Sequence, residues 1–134
     1  MNRSAFRSAF ILASLVLASG CASETEVIEP RSLPELAHEN QSNIATLSVG
    51  MAKAEVLKIM GRKSAQTRDG PIANPFKSET FQDKAGVQYE VLYYVTERNR
   101  RFQPLRLGNT TPIVLKDSVL LGWGYQTLSR VRTR

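Results

Sequence analysis

The clearest pattern of hydrophobic and polar positions along the chain is the run VQYEVLYYVT at residues 87–96, which has valine or tyrosine at every second position. Alternating residues of these types are typical of a β-strand. A shorter strand is predicted before it, at Lys77 to Gln82, joined through the turn-like sequence DKAG. After it, strand-forming segments at residues 112–115 and 119–128 flank the sequence KDS, which favours a hairpin turn. The pattern therefore predicts three or four antiparallel strands.

Helical spacing of apolar residues precedes these strands. The stretch VLKIM at residues 56–60 forms an apolar face with helical spacing, and Gly61 follows where a helix can end. Upstream, the sequence SLPE at residues 32–35 is typical of a capping box at the start of a helix, which we expect as one helix or two short pieces. Helices followed by strands indicate an α+β fold. We predict two short N-terminal helices packed on one face of a three- or four-stranded antiparallel sheet.

The first 20 residues have a positively charged start followed by an apolar run. Arg3 and Arg7 precede an apolar segment from Ala9 to Leu17, which is too short to cross a bilayer but has the length of a secretory signal. Cys21 follows as the single cysteine of the chain, so it cannot form an intramolecular disulfide or share a zinc ion with a second thiol. The alternatives for Cys21 are a lipid attachment point, or a free cysteine behind an ordinary secretory signal.

The sequence LVLASGC at residues 15–21 resembles the lipobox of bacterial lipoproteins, with Ala18 where leucine is usual. The resemblance implies a signal peptide at residues 1–20, and a diacylglycerol and an N-acyl chain on Cys21. Two or more acyl chains make membrane attachment effectively permanent. In such lipoproteins an aspartate after the cysteine favours the inner membrane, and here Ala22 and Ser23 follow. The resemblance therefore implies a protein anchored to outer-membrane lipid on the periplasmic face, with no cofactor beyond these acyl chains.

Charge is distributed unevenly after the predicted signal. The formal net charge of +6, less Arg3 and Arg7, leaves +4. Residues 22–39 hold 5 glutamates and 1 arginine, whereas residues 40–134 hold 15 basic and 7 acidic side chains. We expect residues 21–31 to form a lipidated flexible tether, because this segment lacks aromatic residues and contains Pro30. Residues 32–134 are then enough for one small α+β domain, and a periplasmic location argues against nucleic acid as a partner.

Several segments of the predicted domain resemble a known family. VGMAKAEVLKIMG at residues 49–61 is similar to the VGMTKAEV…LG signature of the SmpA/OmlA group of small outer-membrane lipoproteins, to which the BamE component of the β-barrel assembly machine belongs. YEVLYYVTE, TPIVLKDS and LLGWG further resemble a less characterised branch of these BamE-like lipoproteins. The segments lie within residues 47–128. The resemblance implies a helix–helix–sheet lipoprotein that binds an envelope protein, with the β-barrel assembly machine as a candidate partner, and it brings no catalytic residues.

Two residues depart from the family pattern. Ala52 stands at the N-cap position where threonine is usual, so Glu55 keeps only its half of the capping box and the helix loses about 1 kcal/mol. Ser118 stands where glycine often closes the hairpin, which strains the turn if that position needs a positive φ. Both departures reduce stability and leave the predicted fold unchanged.

Aromatic residues near the C-terminus are the first candidates for partner binding. In an extended strand over residues 119–128, Gly122 and Gly124 share one face while Trp123 and Tyr125 share the other. If the helices lie over the glycines, Trp123 and Tyr125 form an aromatic binding platform. Alternatively, Trp123 belongs to the core and the glycines only relieve crowding.

Basic residues are the second candidates for partner binding. Four lie between predicted strands and three near the C-terminus, where they share one face if the tail is extended. Anionic lipid, peptidoglycan or the carboxylates of a protein would suit such a surface, and solvated charge is the alternative. The residues are Arg98, Arg100, Arg101 and Arg106 between strands, and Arg130, Arg132 and Arg134 in the tail.

The sequence offers little basis for catalysis. His38 is the single histidine, and the chain contains no HExxH or GxSxG motif. We therefore predict no catalytic residues and no metal site, and a non-enzymatic lipoprotein that binds a protein in envelope assembly or integrity. Two alternatives remain open: an inhibitor-like module that binds an envelope enzyme through its sheet face, and a lipid or peptidoglycan tether that acts through the basic segments.

Overall fold

The computed structural model describes residues 31–97 and 103–133. These residues form a three-stranded sheet, a four-stranded sheet and three α-helices. In chain order the elements are β1 (Arg31–Ser32), α1 (Leu33–Ile44), α2 (Lys53–Met60), β2 (Ser64–Thr67), β3 (Gly70–Ala73), β4 (Lys77–Gln82), β5 (Gln88–Val95), a short 3-10 helix (Leu107–Asn109), β6 (Thr110–Lys116), β7 (Val119–Trp123) and α3 (Tyr125–Arg132). The predicted α+β fold is confirmed. Within these two ranges, no helix is long and apolar enough to cross a membrane.

Both N-terminal helices begin where the sequence predicts. Ser32 precedes α1, and its N–H and hydroxyl donate to the Glu35 carboxylate at 2.8 and 2.7 Å. Ala52 precedes α2 and has no hydroxyl, so only its backbone N–H donates to the Glu55 carboxylate, at 3.0 Å. The Glu35 carboxylate therefore binds both donors of Ser32 at the start of α1, whereas at α2 the side chain of residue 52 contributes no hydrogen bond, as predicted.

The four-stranded sheet is antiparallel, in the order β4-β5-β6-β7, and helices cover both of its faces. One face lies beneath α1 and α2 and is called the α1/α2 face; the other lies beneath α3 and is called the α3 face. On the α1/α2 face, the side chains of Leu92, Tyr94, Ile113, Leu115 and Leu120 form one buried cluster with Ile44, Val56 and Met60. On the α3 face, the side chains of Tyr89, Val91, Tyr93 and Val114 form a second cluster with Leu128 and Val131.

The end of the sheet differs from the prediction. β7 stops at Trp123, and Gly124, with a φ of 87°, turns the chain into α3. The prediction that one strand continues to Leu128 is wrong, because α3 runs from Tyr125 to Arg132. An extended tail, the condition under which the C-terminal arginines would share one face, is not found at Arg130 and Arg132. Leu128 and Val131 are three residues apart, so in a helix they share one face and can be buried together.

An extra residue in β7 decides on which side of the sheet Trp123 lies. Leu115 pairs with Leu120, and Ile113 pairs with Trp123, so β7 has one more residue than β6 between these pairs. Such a bulge shifts the alternation of side chains. Trp123 therefore lies on the α1/α2 face together with Leu120, whereas simple alternation would have put it on the opposite face.

The three-stranded sheet, in the order β1-β2-β3, holds the N-terminal end of the described chain. Arg31, predicted to end the tether, lies in β1 opposite Ala65 of β2. Asn40 of α1 joins this sheet to β5. Its side-chain amide exchanges hydrogen bonds with that of Asn74 at 3.1 and 2.7 Å and donates to the Val95 carbonyl at 2.8 Å. Because Asn40 and Asn74 are both buried, these bonds hold the small sheet firmly beside α1.

The β6–β7 hairpin turns at Asp117 and Ser118, whose φ angles are 49° and 64°. Two successive positive φ angles are the geometry of a tight hairpin turn in which glycine is favoured at the second position. Ser118 therefore occupies a position with positive φ, where a side chain is strained and glycine would not be.

Candidate partner-binding site

The structure separates the two predicted aromatic residues. Trp123 is half-buried and packs against the cluster beneath α2, beside Met51 and Ile59. Tyr125 begins α3 and is 45% exposed, and its hydroxyl hydrogen-bonds to the carbonyl of Leu107. Because they lie on different elements, Trp123 and Tyr125 do not form a shared platform, and the physical reason is the bulge and turn that end β7.

The predicted basic surface is only partly within the described residues. Arg98, Arg100, Arg101 and Arg134 lie outside them, as does the predicted lipidation site, Cys21. Arg106 is exposed at the start of the 3-10 helix. Arg130 and Arg132 are two positions apart on α3, so they point about 200° apart around the helix. Arg130 and Arg132 therefore do not share one face, because they lie in a helix rather than in an extended segment.

A half-open groove of about 880 Å³ runs beside the small sheet, between the start of α1, the β2–β3 hairpin and residues 103–105. We call it the β3 groove. Ser32, Gln66 and Pro71 line it from three neighbouring strands, where they stand directly opposite one another in the strand register. All three are exposed, so one face of the small sheet forms the floor of the groove.

The lining of the β3 groove is mainly apolar. Six apolar side chains surround the floor: Leu33, Pro34, Ile72, Phe76, Pro104 and Leu105. Arg68 and Asp69, in the turn between β2 and β3, are its charged members, and its described lining contains no histidine or cysteine. The Thr67 hydroxyl donates to the Gly70 carbonyl at 2.6 Å and stabilises this turn. The groove therefore suits recognition by shape, apolar contact and a few polar groups.

The β3 groove joins two segments that the sequence singles out for other reasons. Leu33 and Pro34, which lie just after the predicted tether, form part of one wall, and residues 103–105, which follow the arginine-rich segment, form part of another. Sequence reasoning missed the groove itself because it missed the small sheet. The dipeptide Asp69-Gly70 is a hairpin signal that could have indicated β2 and β3.

A smaller apolar surface lies at the hairpin end of the four-stranded sheet. Val49, Val119 and Leu121 are 67%, 44% and 37% exposed. They lie on neighbouring segments, because residues 50–52 pair with the backbone of β7 at Val119 and Leu120. This surface is a second place where a partner could contact the described domain.

A cluster of ionisable side chains connects α3 to β4. The Tyr93 hydroxyl donates to the Glu79 carboxylate at 2.6 Å, Arg132 binds the same carboxylate, and the Lys77 ammonium lies 3.7 Å from it. Burial, and then the hydrogen bond to Glu79, raise the pKa of Tyr93 to about 12. The Tyr93 hydrogen bond, aided by Arg132 and Lys77, holds the pKa of Glu79 below its usual value.

This cluster holds α3 against β4 through hydrogen bonds and ion pairs, and its groups are not suited to proton transfer. A phenol whose pKa is raised stays protonated at neutral pH, and a carboxylate whose pKa is lowered stays ionised, so neither group is suited to exchange a proton there. No sequence signal connects Glu79 with Arg132, because 53 positions separate them along the chain. Among the described residues, no group of three or more His, Cys, Asp or Glu side chains could hold a metal ion.

Comparison with known proteins identifies a family model that covers most of the chain. The family model described as "Protein of unknown function (DUF3192)" matches residues 29–130. This range includes both sheets, α1, α2 and nearly all of α3. No curated protein matches the chain, and no solved structure does.

Proposed function

The chain belongs to the DUF3192 family, whose function is unknown, and we propose that it is a non-enzymatic lipoprotein of the outer membrane that binds a protein partner in envelope assembly or integrity. The observation that carries this proposal is the β3 groove. It combines a mainly apolar lining with a strand floor, which suits an extended segment of another protein.

The position of the β3 groove fits a protein that works close to a membrane. If Cys21 carries the lipid, residues 22–31 separate the anchor from Ser32 on the groove floor. About ten residues span at most ~35 Å. The groove would then stay near the membrane surface, where it could engage the periplasmic part of a membrane protein.

The charge of the groove also favours a protein segment over lipid headgroups or peptidoglycan. Arg68 and Asp69 carry opposite charges side by side in the turn, so the described part of the lining has no strong preference for anions. A surface for anionic lipid would instead carry several basic side chains together. Backbone groups and mixed side chains of a peptide match this balance better.

The alternative of an inhibitor-like module loses its proposed surface. That function requires one open face of the four-stranded sheet, and α1 and α2 cover one face while α3 covers the other. The alternative of a tether acting through basic segments depends on Arg98, Arg100 and Arg101, which lie outside the described residues. The tether function is therefore kept as an outcome of the experiment below.

The test is site-specific photocrosslinking of the full-length protein in native envelope membranes. A photoreactive residue replaces Gln66 on the groove floor, Val119 on the hairpin surface, or Gln126 on the exposed side of α3 as the control. We expect the Gln66 probe to capture a component of the β-barrel assembly machine. Pro71→Asp, an exposed change in the same floor, should reduce this capture at least about fivefold.

Three outcomes contradict the proposal. Equal capture from the Gln126 control would show that the contact is nonspecific. Capture from the Val119 probe alone would show that the partner contacts the hairpin surface instead of the β3 groove. Capture of lipid or peptidoglycan without protein would favour the tether function. A separate variant, Cys21→Ala, should release the protein from the membrane, and a protein that stays attached would contradict the lipid anchor.

A further inference from the structure

The sheet edges of this protein differ in how they are protected. An unpaired edge strand exposes backbone N–H and C=O groups to which another strand can add. β7 is covered, because the Gly50 N–H donates to the Leu120 carbonyl and the Leu120 N–H donates to the Met51 carbonyl, both at 2.8 Å. In the small sheet, β1 has only two residues, and β3 contains Pro71. β4 has six residues with no proline, glycine or covering segment among the described residues.

The register shows which groups of β4 face outward. The Asp83 N–H donates to the Val87 carbonyl at 3.1 Å, so these two residues form a hydrogen-bonded pair. Along an antiparallel ladder, hydrogen-bonded and non-hydrogen-bonded pairs alternate. Lys77, Glu79 and Phe81 therefore bond to β5. The even-numbered residues direct their backbone groups away from the sheet, and all three are exposed: Ser78, Thr80 and Gln82.

We propose that two copies of this chain pair through β4, antiparallel, about a two-fold axis at Thr80, to form one continuous sheet. In this register Thr80 lies opposite Thr80 of the second copy, and Ser78 lies opposite Gln82. All outward-facing groups of both strands are then paired, which gives roughly six hydrogen bonds. The interface is isologous, as expected for a dimer of identical chains.

Charges in and beside β4 select this register. Lys77 of each copy comes opposite Asp83 of the other, which pairs opposite charges twice. Glu79 comes opposite Phe81 of the other copy, and the Arg132 guanidinium lies 5.7 Å from the centre of that ring within each copy. A shift of two residues one way would place Glu79 against Glu79, and a shift the other way would place it against Asp83. Both shifts oppose like charges, which destabilises a pair of strands.

The dimer rests on the proposed function in one respect. Edge pairing buries little apolar surface, because Ser78, Thr80 and Gln82 are polar, so we expect weak association between dilute copies. Lipid anchors would confine the copies to one surface and raise their effective concentration. The dimer would then present two β3 grooves to a membrane partner, and binding at both would be stronger than binding at one.

The test uses charge reversal at the two-fold axis. Thr80→Lys opposes two ammonium groups and Thr80→Glu opposes two carboxylates, so each variant alone should dimerise about fivefold more weakly than the wild type. An equal mixture of the two variants should recover dimers, because each mixed pair joins opposite charges. Gln126→Lys and Gln126→Glu, on the exposed side of α3, should change nothing. Sedimentation of the full-length protein in detergent measures each dimer constant, and circular dichroism checks folding.

The mixture separates the dimer from misfolding, because a variant that fails to fold cannot regain partners when mixed. A wild type that stays monomeric at all concentrations, variants that dimerise as well as the wild type, or a mixture that recovers nothing would each overturn the proposal. A photoreactive residue at Thr80 that captures only a different protein would also overturn it. Crosslinking from Gln66 tests the proposed function separately, since a monomer can still fill its groove and a dimer can leave it empty.

Discussion

The two faces of the four-stranded sheet are covered in different ways. The α1/α2 face is covered by two helices whose apolar residues form one buried cluster with the sheet. The α3 face is covered by one helix of eight residues that buries two side chains, Leu128 and Val131, and is fastened by Arg132 to Glu79. A short helix can therefore be held on the sheet by a few specific contacts, whereas a larger helical layer is held mainly by the apolar area that it buries.

The largest expected effect comes from removing buried side chains on each face. Met60→Ala on the α1/α2 face and Leu128→Ala on the α3 face should each cost about 2–5 kcal/mol of unfolding free energy. We expect Met60→Ala to destabilise the whole domain, because its cluster joins α1, α2 and three strands. Leu128→Ala should mainly release α3, which is held at one end of the chain. Hydrogen exchange measures the difference, and equal loss of protection in α2 and α3 for both variants would remove the contrast.

The next effect concerns the close approach of α3 to β7. A Cβ added at Gly122 would lie 3.2 Å from the Thr127 methyl and 3.3 Å from its hydroxyl. Gly122→Ala should therefore lower the free energy of unfolding by about 1–3 kcal/mol. Gly108→Ala, where a Cβ would meet nothing within 4 Å, is the matched control and should be nearly neutral.

Thr127→Ala tests the cause of this cost. If contact with Thr127 is responsible, the double variant Gly122→Ala with Thr127→Ala should recover part of the loss in urea denaturation. Additive losses in the double-mutant cycle would mean that the two residues do not interact.

A smaller effect concerns the ionic fastening of α3 and depends on pH. The pKa of Glu79 is lowered in the folded protein, so its contribution is present above the unfolded pKa and is lost as pH falls through the folded pKa. Glu79→Gln should cost about 1 kcal/mol at pH 7. The difference between variant and wild type should shrink in acid. A difference that stays constant between pH 7 and pH 3 would show that the carboxylate charge is unimportant.

Tyr93, in the same cluster, has the opposite pH dependence, because its contribution to stability is lost as the pH rises. The pKa of Tyr93 is raised to about 12 by burial and by Glu79, so its contribution is complete below pH 10 and is lost as pH rises from about 10 to 12. Tyr94 behaves alike, because burial and then Glu90 raise its pKa to about 12. Tyr93→Phe should therefore reduce the alkaline loss of stability without abolishing it, as measured by thermal unfolding between pH 9 and pH 11.

The smallest expected effect is a gain in stability at the start of α2, on the α1/α2 face. Ala52 is the N-cap of α2 and offers no side-chain hydrogen bond, so Ala52→Thr should add about 0.5–1 kcal/mol and raise the melting temperature. Ala54→Thr, two positions later and also exposed, provides the control and should give no gain, because threonine inside a helix is unfavourable. Equal melting temperatures for both variants would place the start of α2 elsewhere.

The contrast between the two faces also explains how far the sequence could predict the fold. α1 and α2 were predictable because Ser32, Glu35 and Glu55 are local capping signals and the apolar spacing of residues 56–60 is helical. The strands at Lys77–Gln82 and Gln88–Val95, and the hairpin at Asp117 and Ser118, were likewise predicted from local patterns. In each case the signal lies within a few residues of the structure that it specifies.

α3 and the small sheet were not predicted, for two different reasons. The sequence VLLGWGYQTL continues an alternating pattern through Gly124, so the change from strand to helix at that residue has no periodic signal. β1 has two residues and pairs with β2 across more than 30 positions, which no local pattern reveals. The β3 groove depends on this pairing, so the candidate site was missed with it, and Asp69-Gly70 was the one available signal.

The sequence by itself determined the α+β order of helices and strands, the caps of α1 and α2, and the hairpin that ends the sheet, because these follow from propensity and spacing along a short stretch of chain. The lipid anchor at Cys21 remains a prediction of the same local kind. Only the tertiary structure decided that Trp123 lies beneath α2, that Arg132 reaches Glu79, that a groove forms at β3 and that no described segment pairs with the outer edge of β4. Each of these depends on which strands pair and in what register, and a shift of one residue moves a side chain to the other face.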